Sequence, residues 1–440
     1  MMKRLSFLSV IMLAGLLLTP VLWADLVEYV TRPDDSFAVE VVDRQPVEGG
    51  VAVFARLTSQ TWQDIPWQHW LVIFRPDTVT HPDNMVLVVG GGNIRETPPG
   101  LGGGEARAAQ QVAVATQSAI ALVNQVPNQP LFGGLREDHL IAYTYDKYLQ
   151  GEGDDWPLLL PMAKSAVKAM DATQQVMREE FEQEVTGFLL TGGSKRGWTS
   201  WLAAASGDDR VIAIAPAVID MLNVVPQMRH QLASYGEYSN QIDEYTELGL
   251  QERMETPDGE KLRDMVDPYS YLETLTMPKM VILGTNDPYW TVDAANFYFP
   301  GLLGEKHLIY QPNAGHDITL NGVSALSHFF YMLQRGESYP AITWDIPEPG
   351  RITVEWDHPD GTAYLWRAFS DNRDFRDSVW MSEILEGDGK VEAVVDAPES
   401  GWIAYYVEVR WPGELAFPYG NCTEITVLPD TMPFDPEAIE

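Results

Sequence analysis

The sequence predicts an α/β protein in which a doubly wound, mostly parallel sheet with a helical cap insert is followed by a small C-terminal β-sandwich. Two patterns predict this fold class. Short apolar runs bounded by Gly, Pro or Asn alternate with segments of helical spacing, and the runs lie at residues 85–89, 118–123, 185–190, 211–215, 280–283 and 307–310. Past Gly336, only short segments of strand-like alternation follow. Buried parallel strands have continuous apolar sequences, whereas sandwich strands alternate.

Residues 1–24 are predicted to be a secretory signal peptide. They contain Lys3 and Arg4, then an apolar stretch, and end at Ala24, after which we expect cleavage. A retained membrane anchor is the alternative. The signal predicts export to the periplasm or the cell exterior.

The main domain is predicted at residues 25–338 and the sandwich at residues 339–440. In the main domain, antiparallel strands at residues 37–42, 51–57 and 69–74 open the sheet, and helices are expected at residues 137–149, 162–180 and 199–205. Residues 223–276 interrupt the alternation with charged, Tyr-rich sequence, where such folds carry a cap over the active site. Five sandwich strands are expected, at residues 352–356, 363–368, 391–395, 403–411 and 424–427. Their spacing favours a fibronectin type III or immunoglobulin type of sandwich. The Pro-rich tail from Pro429 is expected to be loosely ordered.

Composition excludes several classes of function. The net charge of −34 disfavours binding to nucleic acid or to an anionic membrane. Cys422 is the only cysteine, so the chain has no intramolecular disulfide framework. The sequence has no His-Glu-x-x-His motif, no Cys/His cluster and no EF-hand spacing, so we expect neither a metal nor a cofactor.

The strongest motif is a nucleophile elbow at Thr191-Gly192-Gly193-Ser194-Lys195-Arg196-Gly197, between an apolar run and an Ala-rich helical segment. A serine on a sharp strand-to-helix turn needs small neighbours, because strand and helix nearly touch there. Gly192 and Gly193 meet that need. The motif departs from Gly-x-Ser-x-Gly because Arg196 stands two places after the serine. A phosphate-binding turn is the alternative, but the P-loop spacing is missing.

A serine nucleophile needs a base and an acid from loops at the same sheet edge. His316 is the candidate base, because it follows the last apolar run in a Gly-containing loop before an apolar helix. Asp287 is the candidate acid, since it follows the run at residues 280–283 and lies between serine and histidine in the chain. Asp220 and Asp293 are the alternative acids.

The oxyanion of an acyl-transfer reaction needs two aligned N–H donors. One candidate is the backbone N–H of Lys195, and the others are Gly91, Gly92 and Asn93, in a glycine-rich loop after an early strand. A flexible turn is the alternative for this loop.

Arg196 and Trp198 are the candidate substrate-binding residues. The charges of Lys195 and Arg196 either face the substrate or pair with surface carboxylates. The tryptophans Trp62, Trp67 and Trp70 suggest core packing rather than carbohydrate stacking.

Together these residues resemble the PhoPQ-activated pathogenicity-related proteins, which belong to the α/β-hydrolases. The resemblance depends on several segments: Pro127-Asn128-Gln129-Pro130, residues 137–144, Leu160-Pro161-Met162, residues 169–172, Gly193-Ser194-Lys195-Arg196-Gly197-Trp198-Thr199, residues 266–269, Met277-Pro278-Lys279 and Pro312-Asn313-Ala314-Gly315-His316. The family pattern has alanine at the place of Gly193 and Gly-Asp-Glu-Phe-Phe around the acid, where this chain has Asn286-Asp287-Pro288-Tyr289-Trp290. The resemblance implies a link of bacterial relatives to virulence and antimicrobial-peptide resistance, and of amoebal relatives to secreted repression of proliferation.

The residues predict a secreted serine hydrolase that cleaves an ester, or else an amide or peptide bond, through a Ser-His-Asp triad and an acyl-enzyme intermediate. Its partner would be a small-molecule or peptide substrate. The alternative is a non-catalytic secreted binding or signalling protein on the same scaffold, with the sandwich as a candidate surface for a carbohydrate or protein partner.

Overall fold

The computed structural model describes residues 25–438, so the predicted signal peptide lies outside the described residues. Nine strands form one sheet: β1 (Ala38–Val47), β2 (Gly50–Trp62), β3 (Ile65–Pro76), β4 (Asn84–Val89), β5 (Ile120–Val123), β6 (Gly187–Gly193), β7 (Val211–Ala217), β8 (Lys279–Gly284) and β9 (Lys306–Gln311). Their order is β1-β2-β3-β5-β4-β6-β7-β8-β9. The first three strands pair antiparallel, and every pairing from β5 to β9 is parallel.

Ten α-helices accompany the strands in the described part of the chain. They are α1 (Leu26–Thr31), α2 (Gly104–Thr116), α3 (Glu137–Leu149), α4 (Leu159–Phe181), α5 (Lys195–Ala205), α6 (Val224–Tyr235), α7 (Asp243–Thr246), α8 (Leu250–Arg253), α9 (Pro257–Val266) and α10 (Leu320–Arg335). Helices α4 and α5 contribute to one apolar cluster and α2 and α10 to the other. Both faces of the sheet are therefore covered, which explains the continuous apolar sequences of its strands.

The elements that position the site were predicted well. Helix α3 has the predicted bounds, and all nine predicted strands of the main sheet are present with ends that differ from the prediction by up to five residues. The predicted cap segment, residues 223–276, is helical and contains α6 to α9. The pattern missed α1 and α2, since α1 has only six residues and the apolar residues of α2 are mostly small alanines and valines.

The C-terminal region is a two-sheet antiparallel structure. Its strands are β10 (Ile342–Glu348), β11 (Arg351–Trp356), β12 (Thr362–Ser370), β13 (Met381–Leu385), β14 (Lys390–Val394), β15 (Trp402–Trp411), β16 (Tyr419–Cys422) and β17 (Thr426–Leu428). One sheet has the order β10-β11-β14 and the other β13-β12-β15-β16, with β17 also on β15. The sequence missed β10, β13 and β16. The likeness to fibronectin type III domains stays a prediction, as do the exact domain boundaries.

The sandwich covers an edge of the main sheet. Strand β9 is the last in the order, and two of its backbone N–H groups donate to side chains of β16. Leu308 N donates to Asn421 Oδ1 at 3.2 Å, and Tyr310 N donates to Cys422 Sγ at 3.4 Å. An uncovered edge strand would present unpaired backbone groups. One apolar cluster runs from the main sheet into the sandwich, so the two regions share a continuous core.

Two further expectations concern packing. Trp62, Trp67 and Trp70 are at most 2% exposed, which confirms core packing. The expectation of a loose tail was wrong, because Phe434 N donates to the carbonyl of Ala233 in α6 at 3.1 Å and its ring contacts the position of Gly236. Within residues 25–438, no helix is both long and apolar enough to cross a bilayer.

Candidate active site

Ser194 lies on the turn between β6 and α5, at the centre of the sheet. Its backbone is at φ 58° and ψ −128°, a conformation that L-residues other than glycine adopt only under constraint. The constraint is close packing: a Cβ on Gly192 would lie 2.8 Å from the Arg196 backbone, and one on Gly197 would lie 2.9 Å from the Ala217 carbonyl oxygen. The predicted strand-turn-helix arrangement around the serine is therefore present.

Arg196 occupies the position that the usual elbow motif gives to glycine. Its guanidinium donates to both carboxylate oxygens of Glu137, at 2.8 and 2.6 Å, and to the Val126 carbonyl at 2.7 Å. The guanidinium lies against Gly91, where an added Cβ would be 2.5 Å from Nη2. Arg196 thus ties the elbow to the start of α3 and to the loop after β5. The structure favours this supporting role over the predicted contact with substrate.

His316 and Asp287 meet at the same edge of the sheet. Nδ1 of His316 lies 2.7 Å from Oδ2 of Asp287, whose other oxygen accepts the Tyr289 N–H at 3.0 Å. Because an ionised carboxylate only accepts hydrogen bonds, Nδ1 carries the proton and Nε2 of the neutral ring is an acceptor. That Nε2 is buried and has no hydrogen-bond partner among the described residues. The ring is held from one side by Tyr289, with ring centroids 4.3 Å apart.

The two alternative acids have other surroundings. Asp293 accepts from His230 at 2.8 Å and from Arg373 at 2.8 Å, in a buried cluster away from His316. Asp220 is buried, and its Oδ1 has no partner among the described atoms. Burial raises the pKa of Asp220 to about 8, against the lowering effect of the Tyr298 hydroxyl and with smaller upward contributions from the negative charges of Asp287 and Asp293. The geometry therefore favours Asp287 as the partner of His316.

A cavity of about 110 Å³ lies between the sheet edge and the cap, and both Ser194 and His316 line it. Trp198 also lines it, while its indole N–H donates to the Val266 carbonyl at 2.5 Å. Most other lining side chains are apolar and come from the β7–α6 connection and the cap helices. The serine and the imidazole thus line the same cavity.

Lys195 is paired inside this cavity. Its ammonium lies 2.6 Å from Oδ2 of Asp138, and both side chains are almost buried, at 11% and 13% exposure. Tyr245 donates to Asp138 at 3.0 Å and Tyr289 donates at 3.4 Å. Pairing of Lys195 with a carboxylate was one of the two predicted outcomes, but the pair lies in the cavity wall and not on the surface.

Of the predicted oxyanion donors, the Lys195 N–H lies beside Ser194, whereas the loop of Gly91, Gly92 and Asn93 does not line the cavity. Lys195 begins α5, and the first N–H groups of a helix have no intrahelical acceptor, so its N–H is available beside Ser194. None of the described cavity-lining residues comes from the loop of Gly91, Gly92 and Asn93. The carbonyls of this loop accept from the next loop, for example from Gln125 N at Gly91. Its role as the second oxyanion donor stays a prediction.

The sandwich loop at residues 371–380, between β12 and β13, supports the site. The sequence did not indicate this contact. The Asn286 amide lies within hydrogen-bond distance of three carbonyls of this loop, at 2.7–3.3 Å. Asn313 exchanges two hydrogen bonds with the Trp380 backbone. Asn286 adjoins Asp287, and Asn313 lies three residues before His316. The only signal in the sequence was an asparagine in each of the loops after β8 and β9, since their partners lie far away along the chain.

In the described part of the chain, no group of three or more His, Cys, Asp or Glu side chains is arranged to hold a metal ion. The parallel sheet with one exchanged strand pair, the serine elbow after β6 and the histidine after the last strand define the α/β-hydrolase fold.

The chain belongs to the PhoPQ-activated pathogenicity-related protein family, whose model matches residues 26–376. It is also 30% identical, over 482 aligned residues, to the autocrine proliferation repressor protein A of Dictyostelium discoideum, and the match covers 99% of this chain and 95% of that protein.

Solved structures with a similar backbone fold include two acetyl xylan esterases. The enzyme from Thermoanaerobacterium sp. JW/SL YS485 has 14% sequence identity and a TM-score of 0.46, covering 70% of this chain and 93% of that one. The enzyme from Paenibacillus sp. R4 has 13% identity and a TM-score of 0.47, covering 70% and 92%.

Proposed function

We propose that the protein is an exported serine hydrolase that cleaves ester bonds. The observation that carries this proposal is the hydrogen bond of 2.7 Å between His316 and Asp287. It leaves Nε2 buried and without a partner among residues 25–438, in a histidine that lines the same cavity as Ser194. A serine on an elbow and an imidazole whose free nitrogen borders the same cavity are the groups that activate the hydroxyl as a nucleophile once they meet.

The reaction follows from these positions. Ser194 Oγ bonds to the carbonyl carbon while His316 Nε2 takes its proton, and Asp287 stabilises the imidazolium. The Lys195 N–H donates to the oxyanion. The ester C–O bond then breaks, and His316 returns the proton to the departing alcohol oxygen. Water repeats the same steps on the acyl-enzyme and releases the acid. An amide substrate would use the same groups with a poorer leaving group, so esters are the preferred class.

A fluorophosphonate probe tests the proposal, because it labels only activated serines. We expect one adduct, located by mass spectrometry at Ser194, that disappears in Ser194→Ala. In His316→Ala, the labelling rate is expected to fall about 10²–10⁴-fold, the usual contribution of a general base. Ser382→Ala, on the exposed strand β13, is the matched control and should label like the wild type. A folded protein that does not label, or a Ser194→Ala variant that still does, would contradict the proposal.

The alternative is a non-catalytic binding or signalling protein. It is favoured by the name of the Dictyostelium relative, which describes repression of proliferation. A protein that only binds has no need for an elbow serine and a histidine–aspartate pair on one cavity, so the hydrolase is the better-supported proposal. If Ser194→Ala repressed cell proliferation as well as the wild type, and the wild type were not labelled, the binding role would be favoured.

A further inference from the structure

The wall of the cavity beside Ser194 is apolar over most of its extent. The β7–α6 connection and α6 contribute Ile219, Met221, Val224, Val225 and Met228. In α6, residues one turn apart such as Val224 and Met228 lie on the same face, which is the face turned to the cavity. The short helices of the cap contribute further aliphatic side chains. An apolar wall of this kind favours an apolar ligand, since burying it removes hydrocarbon surface from water.

Two of the three Lys and Arg side chains that line the cavity are paired with carboxylates of the protein. Lys195 pairs with Asp138 at 2.6 Å and Arg229 with Glu255 at 2.6 Å, whereas the buried Nε of Arg263 has no hydrogen-bond partner among the described residues. The carboxylate of Asp267 accepts the N–H groups of Asn223 and Val224 at the start of α6. A charged ligand group would have to compete with these partners while losing its own hydration. Away from Arg263, the cavity therefore favours an uncharged group.

We infer that this cavity holds the acyl chain of the substrate, and that the substrate class is esters of unbranched aliphatic acids. The inference rests on the proposed function. The acyl group stays bonded to Ser194 until water attacks, whereas the alcohol must leave first. A cavity between the sheet edge and the cap suits the part that stays. At roughly 10–15 Å³ for each water-sized group, the 110 Å³ cavity has room for about seven to eleven, which accommodates acyl chains of about six to eight carbons.

Kinetics with p-nitrophenyl esters of two to twelve carbons test the inference. We expect kcat/KM to rise about threefold to fourfold for each methylene up to about six to eight carbons and then to level off or fall. A second series, alkyl acetates in which only the alcohol chain lengthens, should show little dependence on chain length. A flat profile in the first series, or a steeper rise in the second, would overturn the inference.

Two variants of the wall should move the optimum in opposite directions. Val225→Phe fills the cavity and is expected to shorten the preferred chain by about two carbons, whereas Met228→Ala enlarges it and should lengthen the preferred chain by a similar amount. The matched controls are Val394→Phe and Met381→Ala in the sandwich, whose side chains are 55% and 71% exposed. The controls should keep the wild-type profile. An unchanged optimum in both wall variants would contradict the inference.

The failure of the inference and that of the proposed function can be told apart. Ser194→Ala cannot form an acyl-enzyme, so calorimetry with this variant measures the binding of intact esters. The ligands are p-nitrophenyl butanoate, hexanoate and octanoate. Tighter binding with chain length, but no fluorophosphonate labelling of the wild type, would support the chain site and contradict the hydrolase. Labelling at Ser194 with binding and kcat/KM independent of chain length would support the hydrolase and contradict the chain site.

Discussion

Asn313 and Trp380 are joined by two hydrogen bonds across the boundary between the sheet and the sandwich. Trp380 N donates to Asn313 Oδ1 at 2.8 Å, and Asn313 Nδ2 donates to the Trp380 carbonyl at 3.0 Å. Because Asn313 lies in the loop that carries His316, the sandwich fixes the position of the candidate base. The same sandwich loop contacts Asn286, beside Asp287, and inserts Arg373 into an ion pair with Asp293 below the cap. The sandwich is thus part of the support of the site.

We expect Asn313→Ala to lower activity and stability together. The substitution leaves the backbone N–H and carbonyl of Trp380 without partners, at a cost of about 1–3 kcal/mol. Movement of the histidine loop should lower kcat more than it changes KM. Urea unfolding and ester kinetics measure both effects. Asn240→Ala, at an exposed asparagine of the cap, is the control and should change neither. Unaltered kcat in Asn313→Ala would show that the sandwich does not position the base.

Asp287→Asn should reduce the rate of fluorophosphonate labelling about 10²–10⁴-fold. An amide can donate to Nδ1 and so favours the tautomer in which Nε2 carries the proton and cannot accept one. The fold should be retained, since the side chain keeps its shape. Asp293→Asn would lose its pairs with His230 and Arg373 and should act on stability instead. Loss of labelling in Asp293→Asn but not in Asp287→Asn would reverse the assignment of the acid.

Two glycines of the elbow should differ in how well they tolerate alanine. A Cβ on Gly197 would lie 2.8 Å from Ile219 Cγ2 and 2.9 Å from the Ala217 oxygen, so Gly197→Ala is expected to destabilise the protein by about 1–3 kcal/mol. A Cβ on Gly193 would meet nothing closer than 3.5 Å, so Gly193→Ala should stay within about 0.5 kcal/mol. Thermal or urea unfolding of the pair measures the difference. Equal costs would mean that the elbow is looser than described.

The role of Gly91 can be separated from that of its loop by a double-mutant cycle. In the wild type, Gly91→Ala should cost about 1–3 kcal/mol, because the Arg196 guanidinium is held against it by Glu137. In an Arg196→Ala background the same substitution should cost little, which gives a large coupling energy. If Gly91→Ala abolished labelling in both backgrounds without loss of stability, Gly91 would be needed for the oxyanion instead.

Stability should depend on pH through Asp220. Its pKa in the folded protein is raised to about 8, whereas an unfolded Asp titrates near its usual value of about 4. As the pH rises from about 4 to 8, the unfolded state loses this proton first, so the free energy of unfolding falls across this window. Asp220→Asn should remove this fall and be more stable than the wild type at pH 8. Urea midpoints from pH 5 to 9 test this, with exposed Asp371→Asn as the control. Parallel curves for wild type and Asp220→Asn would contradict it.

The sequence by itself determined the parts of the fold that depend on local periodicity. Continuous apolar runs specify parallel strands buried on both faces, and the small residues around Ser194 specify a tight turn, so the sheet, α3 and the elbow could be predicted. The chain order of Ser194, Asp287 and His316 placed all three at one sheet edge, because the carboxyl ends of parallel strands lie together.

The identity of the acid and the supports of the site depend on long-range contacts, so only the tertiary structure decided them. The choice of Asp287 over Asp220 and Asp293 depends on which carboxylate reaches His316 and which is already paired. Likewise, Arg196 packs on Gly91, and the sandwich supports the loops of Asn286 and Asn313. These contacts join residues that are 67 or more positions apart in the chain. Local patterns carry no information about such pairs, because their hydrogen bonds depend on how separate elements pack and not on the spacing within any one of them.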